Sequence, residues 1–197
     1  MVKNRELKDP ADVRFSNIVD MGLTFSGMIR LYKEGSKKIL HKEIVTILPE
    51  IANAESIGCF QETHNKFCIW GMNGLSLAEK KRQGKIIKHS GPPSYGQIAK
   101  TLDVVLKVVI YYSKWPHEPT SERVVKYLNA AVDTKMMALL KSKYPDHFEF
   151  WPVTVENVSQ SIYASIQELV KQFIVDEHRN QIMPVQFDDL YWNILNR

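Results

Sequence analysis

The chain has 197 residues, of which 44% are hydrophobic and 24% are charged, and its formal net charge is +4. These are the proportions of an ordinary soluble globular protein, and two cysteines exclude a disulfide framework. No apolar run reaches the roughly eighteen residues that a membrane-spanning helix needs. We therefore expect a cytoplasmic protein with no signal peptide and no membrane partner, built as a single domain over 1–197 with a division into lobes at 1–90 and 91–197 as an alternative.

Apolar residues recur at helical spacing along almost the whole chain, most clearly at 98–110, 124–139 and 158–173. Segments rich in proline and glycine separate these stripes, and no stretch alternates between apolar and polar residues as a half-buried strand does. The sequence therefore predicts an all-α, multi-helix globular protein. The predicted helices lie near 11–33, 42–52, 54–74, 77–88, 95–113, 121–142, 155–177 and 187–195.

Two pairs of residues have the spacing of a capping box, in which two side chains satisfy the free N–H groups at the start of a helix. These pairs are Ser76 with Glu79, and Ser94 with Gln97. They predict that a helix begins at the residue after each serine.

Basic residues cluster in two runs, "KEGSKK" at 33–38 and "EKKRQGKIIKH" at 79–89. The modest net charge permits nucleic-acid binding without requiring it. Each run is consistent either with a solvated surface or with contact to phosphate groups.

Metal and cofactor sites are not indicated by the sequence. Cys59, His64 and Cys68 share a predicted helix, but only the last two are four residues apart, and no fourth ligand is nearby. Zinc sites need three or four ligands that converge from suitable positions. We therefore expect no bound metal and no cofactor.

Two short motifs are more informative: "AKTLDVVL" at 99–106 and "AAVDT" at 130–134. Together they resemble motifs of the helix-hairpin-helix DNA glycosylase superfamily. In that family a hairpin leads into a helix that begins like the first motif, and a segment like the second carries the catalytic aspartate. The resemblance covers residues 91–140, about a quarter of the chain, and the family's Gly-x-Gly hairpin is not present here.

The resemblance implies a glycosylase that removes a damaged or modified base from double-stranded DNA, in repair or in defence against modified foreign DNA. It implies that Asp133 is the catalytic carboxylate, which would stabilise positive charge on the sugar as the glycosidic bond breaks and orient the attacking water. Lys100 would be the amine of a lyase step, a phosphate contact or simply an exposed residue in the first helical turn. We favour an enzyme without the lyase step, acting as a monomer.

The same resemblance implies that the turn before the helix grips the DNA backbone. A helix N-terminus presents free N–H groups that favour phosphate. The DNA-binding residues predicted on this basis are Ser94, Tyr95, Gly96 and Gln97.

Two alternatives stay open. Arg82 and His89 are seven residues apart, so that on one helix they would face the same way and could act on RNA as in HEPN-type ribonucleases. The other alternative is a helical module that binds nucleic acid or protein without catalysis, for which Asp133 would be expendable.

Overall fold

The computed structural model describes residues 9–83 and 85–195, without the side chains of Lys81, Lys88 and residues 192–195. Residues 1–8, Gly84 and 196–197, which the predicted single domain includes, lie outside this part. The described chain is mostly helical, which confirms the all-α class. Its α-helices and strands are α1 (Pro10–Phe25), α2 (Ser36–Ala52), α3 (Ile57–Gly74), β1 (Lys80–Arg82), β2 (Lys85–Lys88), α4 (Tyr95–Leu106), α5 (Glu118–Val125), α6 (Thr134–Lys143), α7 (Gln160–His178) and α8 (Phe187–Leu195).

The predicted helix at 77–88 is wrong, because this segment contains the antiparallel hairpin β1–β2. The chain before the hairpin is extended by pairing with a distant segment. The Ser76 carbonyl oxygen accepts a hydrogen bond from the Lys33 N–H (2.9 Å), and Leu77 forms an antiparallel bridge with Tyr32. Backbone groups that pair with a distant segment of the same chain cannot also form the hydrogen bonds of a helix. The expected helix start after Ser76 is therefore absent. The capping box of Ser94 and Gln97 is confirmed at the start of α4.

The predicted helix at 121–142 is two helices, α5 and α6, with residues 126–133 between them. A side chain on α7 helps to hold the connection in place. Gln167 accepts a hydrogen bond from the Ala130 N–H (3.2 Å) and donates one to the Ala130 carbonyl (2.8 Å). Asp133 therefore lies at the start of α6 instead of inside a long helix.

Several other predicted helices have different bounds in the structure. The helix predicted at 42–52 is α2, which already begins at Ser36. α1 ends early and is followed by Gly27, which has a φ of 67°. The predicted helix at 95–113 is α4 followed by a π-helix from Lys107 to Tyr112. The predicted helix at 155–177 begins only at α7, after a short 3-10 turn at Val155–Asn157.

Helix α4 is the centre of the fold and packs against α1, α3 and α7. Ten of its twelve residues are buried, and only Lys100 and Val104 have partial access to solvent. A helix that is covered on nearly all sides must be apolar on nearly all sides, which explains the long apolar run in this part of the sequence. Among the described residues, no helix has the length and apolar composition needed to cross a membrane.

Close packing around α4 depends on glycines that leave room for neighbouring segments of the protein. A Cβ on Gly96 would lie 2.6 Å from both the Val155 carbonyl oxygen and the Val158 Cβ, and a Cβ on Gly22 of α1 would lie 2.8 Å from the Val105 Cα. Both distances are too short for carbon atoms, so a side chain at either position forces the neighbouring elements apart.

We expect Gly96→Ala to lower the free energy of unfolding by about 1–3 kcal/mol, the usual cost of forcing extra volume into a packed core. Gly58→Ala is the matched control, because its nearest neighbour would be the Ser56 Oγ at 3.7 Å and alanine favours the helix. Urea unfolding followed by circular dichroism measures both changes. Equal stability of the two variants would contradict the close approach at Gly96.

Candidate functional site

The two residues singled out by the glycosylase resemblance lie together in the fold. The Lys100 Nζ is 3.9 Å from the Asp133 Oδ2, although 33 residues separate them in the sequence. Their side chains are 18% and 23% exposed, so both groups reach solvent at the edge of the core. Lys100 is one of the two partly exposed positions of α4, and this opening in the cover of the helix is where Asp133 lies.

The two carboxylate oxygens of Asp133 have different partners. The Oδ1 atom accepts a hydrogen bond from the Met136 N–H (2.8 Å) and caps the N-terminus of α6. The Oδ2 atom faces Lys100. One oxygen therefore fixes the orientation of the carboxylate, and the other is directed towards a charged group at the opening.

A second set of charged groups lies further along the same chain, where α4 passes into the π-helix. The Lys107 Nζ contacts the Asp189 Oδ1 at 2.7 Å and the Asp188 Oδ2 at 3.6 Å. The Lys107 side chain is only 9% exposed, so its charge requires these partners. We did not predict these residues. The signal was a lysine inside an otherwise apolar run, which calls for an acidic partner elsewhere in the chain.

Asp188 is the member of this set whose acid–base behaviour is shifted. Burial raises the pKa of its carboxyl group to about 6, although Lys107 acts in the opposite direction. The nearby negative charges of Asp133, Asp103 and Asp189 contribute to the increase. A carboxyl group with this pKa carries a proton in part of the molecules near neutral pH, which is required of a proton donor.

Behind the opening, α3, α4 and α7 share a buried polar cluster. The Asp103 carboxylate contacts the His64 Nε2 (2.9 Å) and accepts a hydrogen bond from the Tyr163 hydroxyl (2.6 Å). Burial alone would lower the pKa of His64, but the neighbouring Cys68 sulfur and the Asp103 carboxylate raise it to about 10. The contact with the Asp103 carboxylate therefore favours the protonated form of His64.

Two cavities flank Tyr95 in the groove between α3 and α7. One of about 320 Å³ is lined largely by polar and aromatic side chains, including those of Asn65, Asn129 and Tyr163. The other, of about 380 Å³, lies beside Ile69 and the start of α7. Both volumes are within the range of small-molecule binding sites.

All four predicted DNA-binding residues have partners within the protein. The Ser94 hydroxyl donates to the Val155 carbonyl (3.1 Å), and the Gly96 N–H donates to the Val158 carbonyl (3.0 Å). The Gln97 side chain accepts from the Ser94 N–H, and the Tyr95 hydroxyl donates to Asn65. The first two of these contacts join the turn to residues 155–158.

The other residues considered from the sequence are placed as follows. Arg82 belongs to β1 and His89 follows β2, so they do not share the helix that the ribonuclease hypothesis requires. His64 and Cys68 are buried with the Nδ1 and Sγ atoms 3.7 Å apart, whereas Cys59 is exposed. Within the described part of the chain, no group of three or more His, Cys, Asp or Glu side chains is placed to hold a metal ion.

No protein-family model, no curated protein and no solved structure matches this chain. The relation to the glycosylase superfamily is therefore a resemblance of two short motifs. A functional proposal depends on the chemistry of the opening at Lys100 and Asp133.

The raised pKa of His64 predicts how stability changes with pH. The protonated form is stabilised in the folded state, so its contribution is complete below the pKa of about 6.5 for an unfolded histidine and is lost as the pH rises towards about 10. We expect His64→Gln to be less stable than the wild type at pH 6.5. The difference should shrink with rising pH by up to about 1.4 kcal/mol per pH unit.

Urea unfolding of the wild type and His64→Gln across this pH range measures the difference. The difference in the free energy of unfolding between the two proteins cancels the contribution of titrating groups that they share. A constant difference at every pH would show that His64 is neutral in the folded protein.

Proposed function

We propose that this protein is a monofunctional DNA glycosylase, which hydrolyses the N-glycosidic bond of a damaged or modified base in double-stranded DNA and leaves an abasic site. The observation that carries the proposal is the 3.9 Å approach of Lys100 and Asp133 at the opening beside α4. The resemblance singles out these two residues, and the fold brings them together across 33 positions of sequence.

Asp133 is the electrostatic catalyst in this proposal. Removal of a base requires that the nucleotide first turns out of the double helix. Positive charge then develops on the sugar as the glycosidic bond breaks, and a fixed carboxylate beside the sugar stabilises that charge. The bond from the Met136 N–H to Oδ1 holds the group in place, so the Oδ2 atom is available to orient and deprotonate the attacking water.

Lys100 acts through its charge. In this proposal the Lys100 ammonium ion stays paired with the Asp133 carboxylate and does not attack the sugar to form a Schiff base. The same ammonium ion attracts a DNA phosphate at the mouth of the site. This role favours an enzyme that releases the base and leaves the DNA strand intact.

Asp188 is the proton donor in the proposed reaction. In its acid form it donates a proton to the departing base, while Asp133 takes a proton from the water that adds to the sugar carbon. The released base is then neutral, and the sugar carries a new hydroxyl group. A carboxyl group whose pKa is about 6 suits this task because it is protonated in part of the molecules at neutral pH.

We expect the wild type to generate abasic sites on one member of a panel of DNA substrates and Asp133→Asn to generate none. The panel contains unmodified, alkylated, oxidised and deaminated DNA, together with phage genomes that carry modified or glucosylated cytosine. An aldehyde-reactive probe detects the abasic sites, and gel electrophoresis tests for the strand breaks that a lyase would add.

Asparagine is chosen because it keeps the cap of α6: its side-chain oxygen can still accept from the Met136 N–H, and asparagine caps helices as well as aspartate does. Asp9→Asn is the matched control, since Asp9 is also an N-cap and its side chain accepts from the Ala11 N–H at the start of α1. If Asp133→Asn is as active as the wild type, Asp133 is not the catalyst. If no substrate yields abasic sites, the proposal is wrong, and the non-catalytic binding module replaces it.

The role of Asp188 predicts a pH profile. We expect the rate of base release at saturating DNA to fall as the pH rises above about 6, because the acid form of Asp188 is lost. Asp188→Asn should be slower and should lack this decline. Asp189→Asn is the control, because Asp189 has a contact with Lys107 but no proposed proton transfer, and it should keep the decline. A decline that persists in Asp188→Asn would assign the proton donor to another group.

A further inference from the structure

Two basic segments that are distant in the sequence lie side by side in the fold. The Lys33 N–H donates to the Ser76 carbonyl oxygen (2.9 Å), and Tyr32 forms an antiparallel bridge with Leu77. These contacts place the segment 30–38 at the base of the hairpin β1–β2. The two basic runs of the sequence therefore belong to one surface.

The sequence of these two segments holds the excess positive charge of the protein. Segments 30–38 and 79–89 together contain nine Lys and Arg residues and two glutamates, a net charge of +7. The whole chain has a net charge of +4, so the remainder carries −3. The charge is thus strongly asymmetric, which the modest total conceals. A concentrated positive field of this kind attracts polyanions.

The hairpin projects from the body of the protein. Ile86 and Ile87 are consecutive in β2 and so point to opposite faces of the ribbon, yet they are 44% and 53% exposed. Neither face is therefore covered by the core. A two-stranded hairpin with both faces in water is only marginally stable by itself.

The register of the hairpin places positive residues opposite one another. Arg82 pairs with Lys85. Like charges directly opposite each other destabilise an antiparallel pair of strands. A negatively charged partner along the hairpin would remove this repulsion, so the arrangement favours a bound polyanion.

We infer that residues 30–38, 79–83 and 85–89 form a single DNA-binding surface, the basic face, which contacts the phosphate backbone of duplex DNA. A two-stranded antiparallel ribbon fits the major groove, and isoleucine is among the apolar side chains that proteins insert between base pairs. The choice of DNA as the partner rests on the proposed function. The basic face would also supply contacts to the DNA backbone. The turn at 94–97, which is joined to residues 155–158, then does not need to provide them.

Fluorescence anisotropy with a labelled DNA duplex at increasing salt concentration tests this inference. We expect the wild type to bind with a steep salt dependence. The hairpin variant should bind at least about tenfold more weakly at low salt, with a salt slope that is less negative by about 2 to 3, because three phosphate contacts are lost. The hairpin variant is Lys80→Gln, Arg82→Gln and Lys85→Gln.

Two further triple variants, each with the same loss of three charges, make the test specific. The first lies on the other half of the basic face and should reproduce the loss, so the result does not depend on how well the altered hairpin folds. The second lies on α3, α6 and α7 and should bind like the wild type. They are Arg30→Gln, Lys33→Gln and Lys38→Gln for the first, and Lys66→Gln, Lys141→Gln and Lys171→Gln for the second.

If the variant with changes on α3, α6 and α7 weakens DNA binding as much as the other two, the inference is overturned, because net charge and not the basic face would then determine binding. Absence of duplex binding at low salt would also overturn it, as would binding to single-stranded RNA or to phosphatidylserine vesicles in preference to the duplex.

The abasic-site assay separates this inference from the proposed function. Salt-dependent duplex binding without abasic sites on any substrate would support the basic face and contradict the glycosylase. Abasic sites formed by the hairpin variant with an unchanged KM would support the glycosylase and contradict the basic face.

Discussion

Nearly complete burial of α4 is the constraint on which the rest of this protein depends. Its neighbours approach so closely that a side chain at Gly22 or Gly96 would force the packed elements apart. Because the helix is covered by α1, α3 and α7, every polar group that it carries must find a partner inside the protein or at the narrow opening. The position of the charged residues follows from this requirement.

Three charged residues of α4 and the π-helix that follows it find partners in three different ways. Asp103 is satisfied within the core by a histidine and a tyrosine, Lys107 by two aspartates of α8, and Lys100 by Asp133 at the edge. Only the last pair has substantial access to solvent on both sides. The burial that stabilises the fold thus also determines where charged groups are accessible to a substrate.

The sequence predicted those parts of the protein that depend on local periodicity and capping. The start of α4, with Ser94 and Gln97, is an example. It did not predict the break between α5 and α6, because Gln167 on a distant helix holds the connecting chain. The hairpin likewise depends on pairing with the chain around Tyr32, which no local pattern encodes. Lys100 and Asp133 could be named from short motifs, whereas Asp188 could be found only once the fold placed it beside Lys107.

The Asp103 cluster has a consequence for the folding of this chain. Leucine, isoleucine and valine contacts between helices are partly interchangeable, so packing alone would tolerate a helix that is displaced along its axis by one turn. Such a displacement would separate Asp103 from His64 and Tyr163 and leave a buried carboxylate without partners, at a cost of roughly 3–5 kcal/mol. We therefore expect this cluster to distinguish the native alignment of α3, α4 and α7 from compact alternatives with similar apolar contacts.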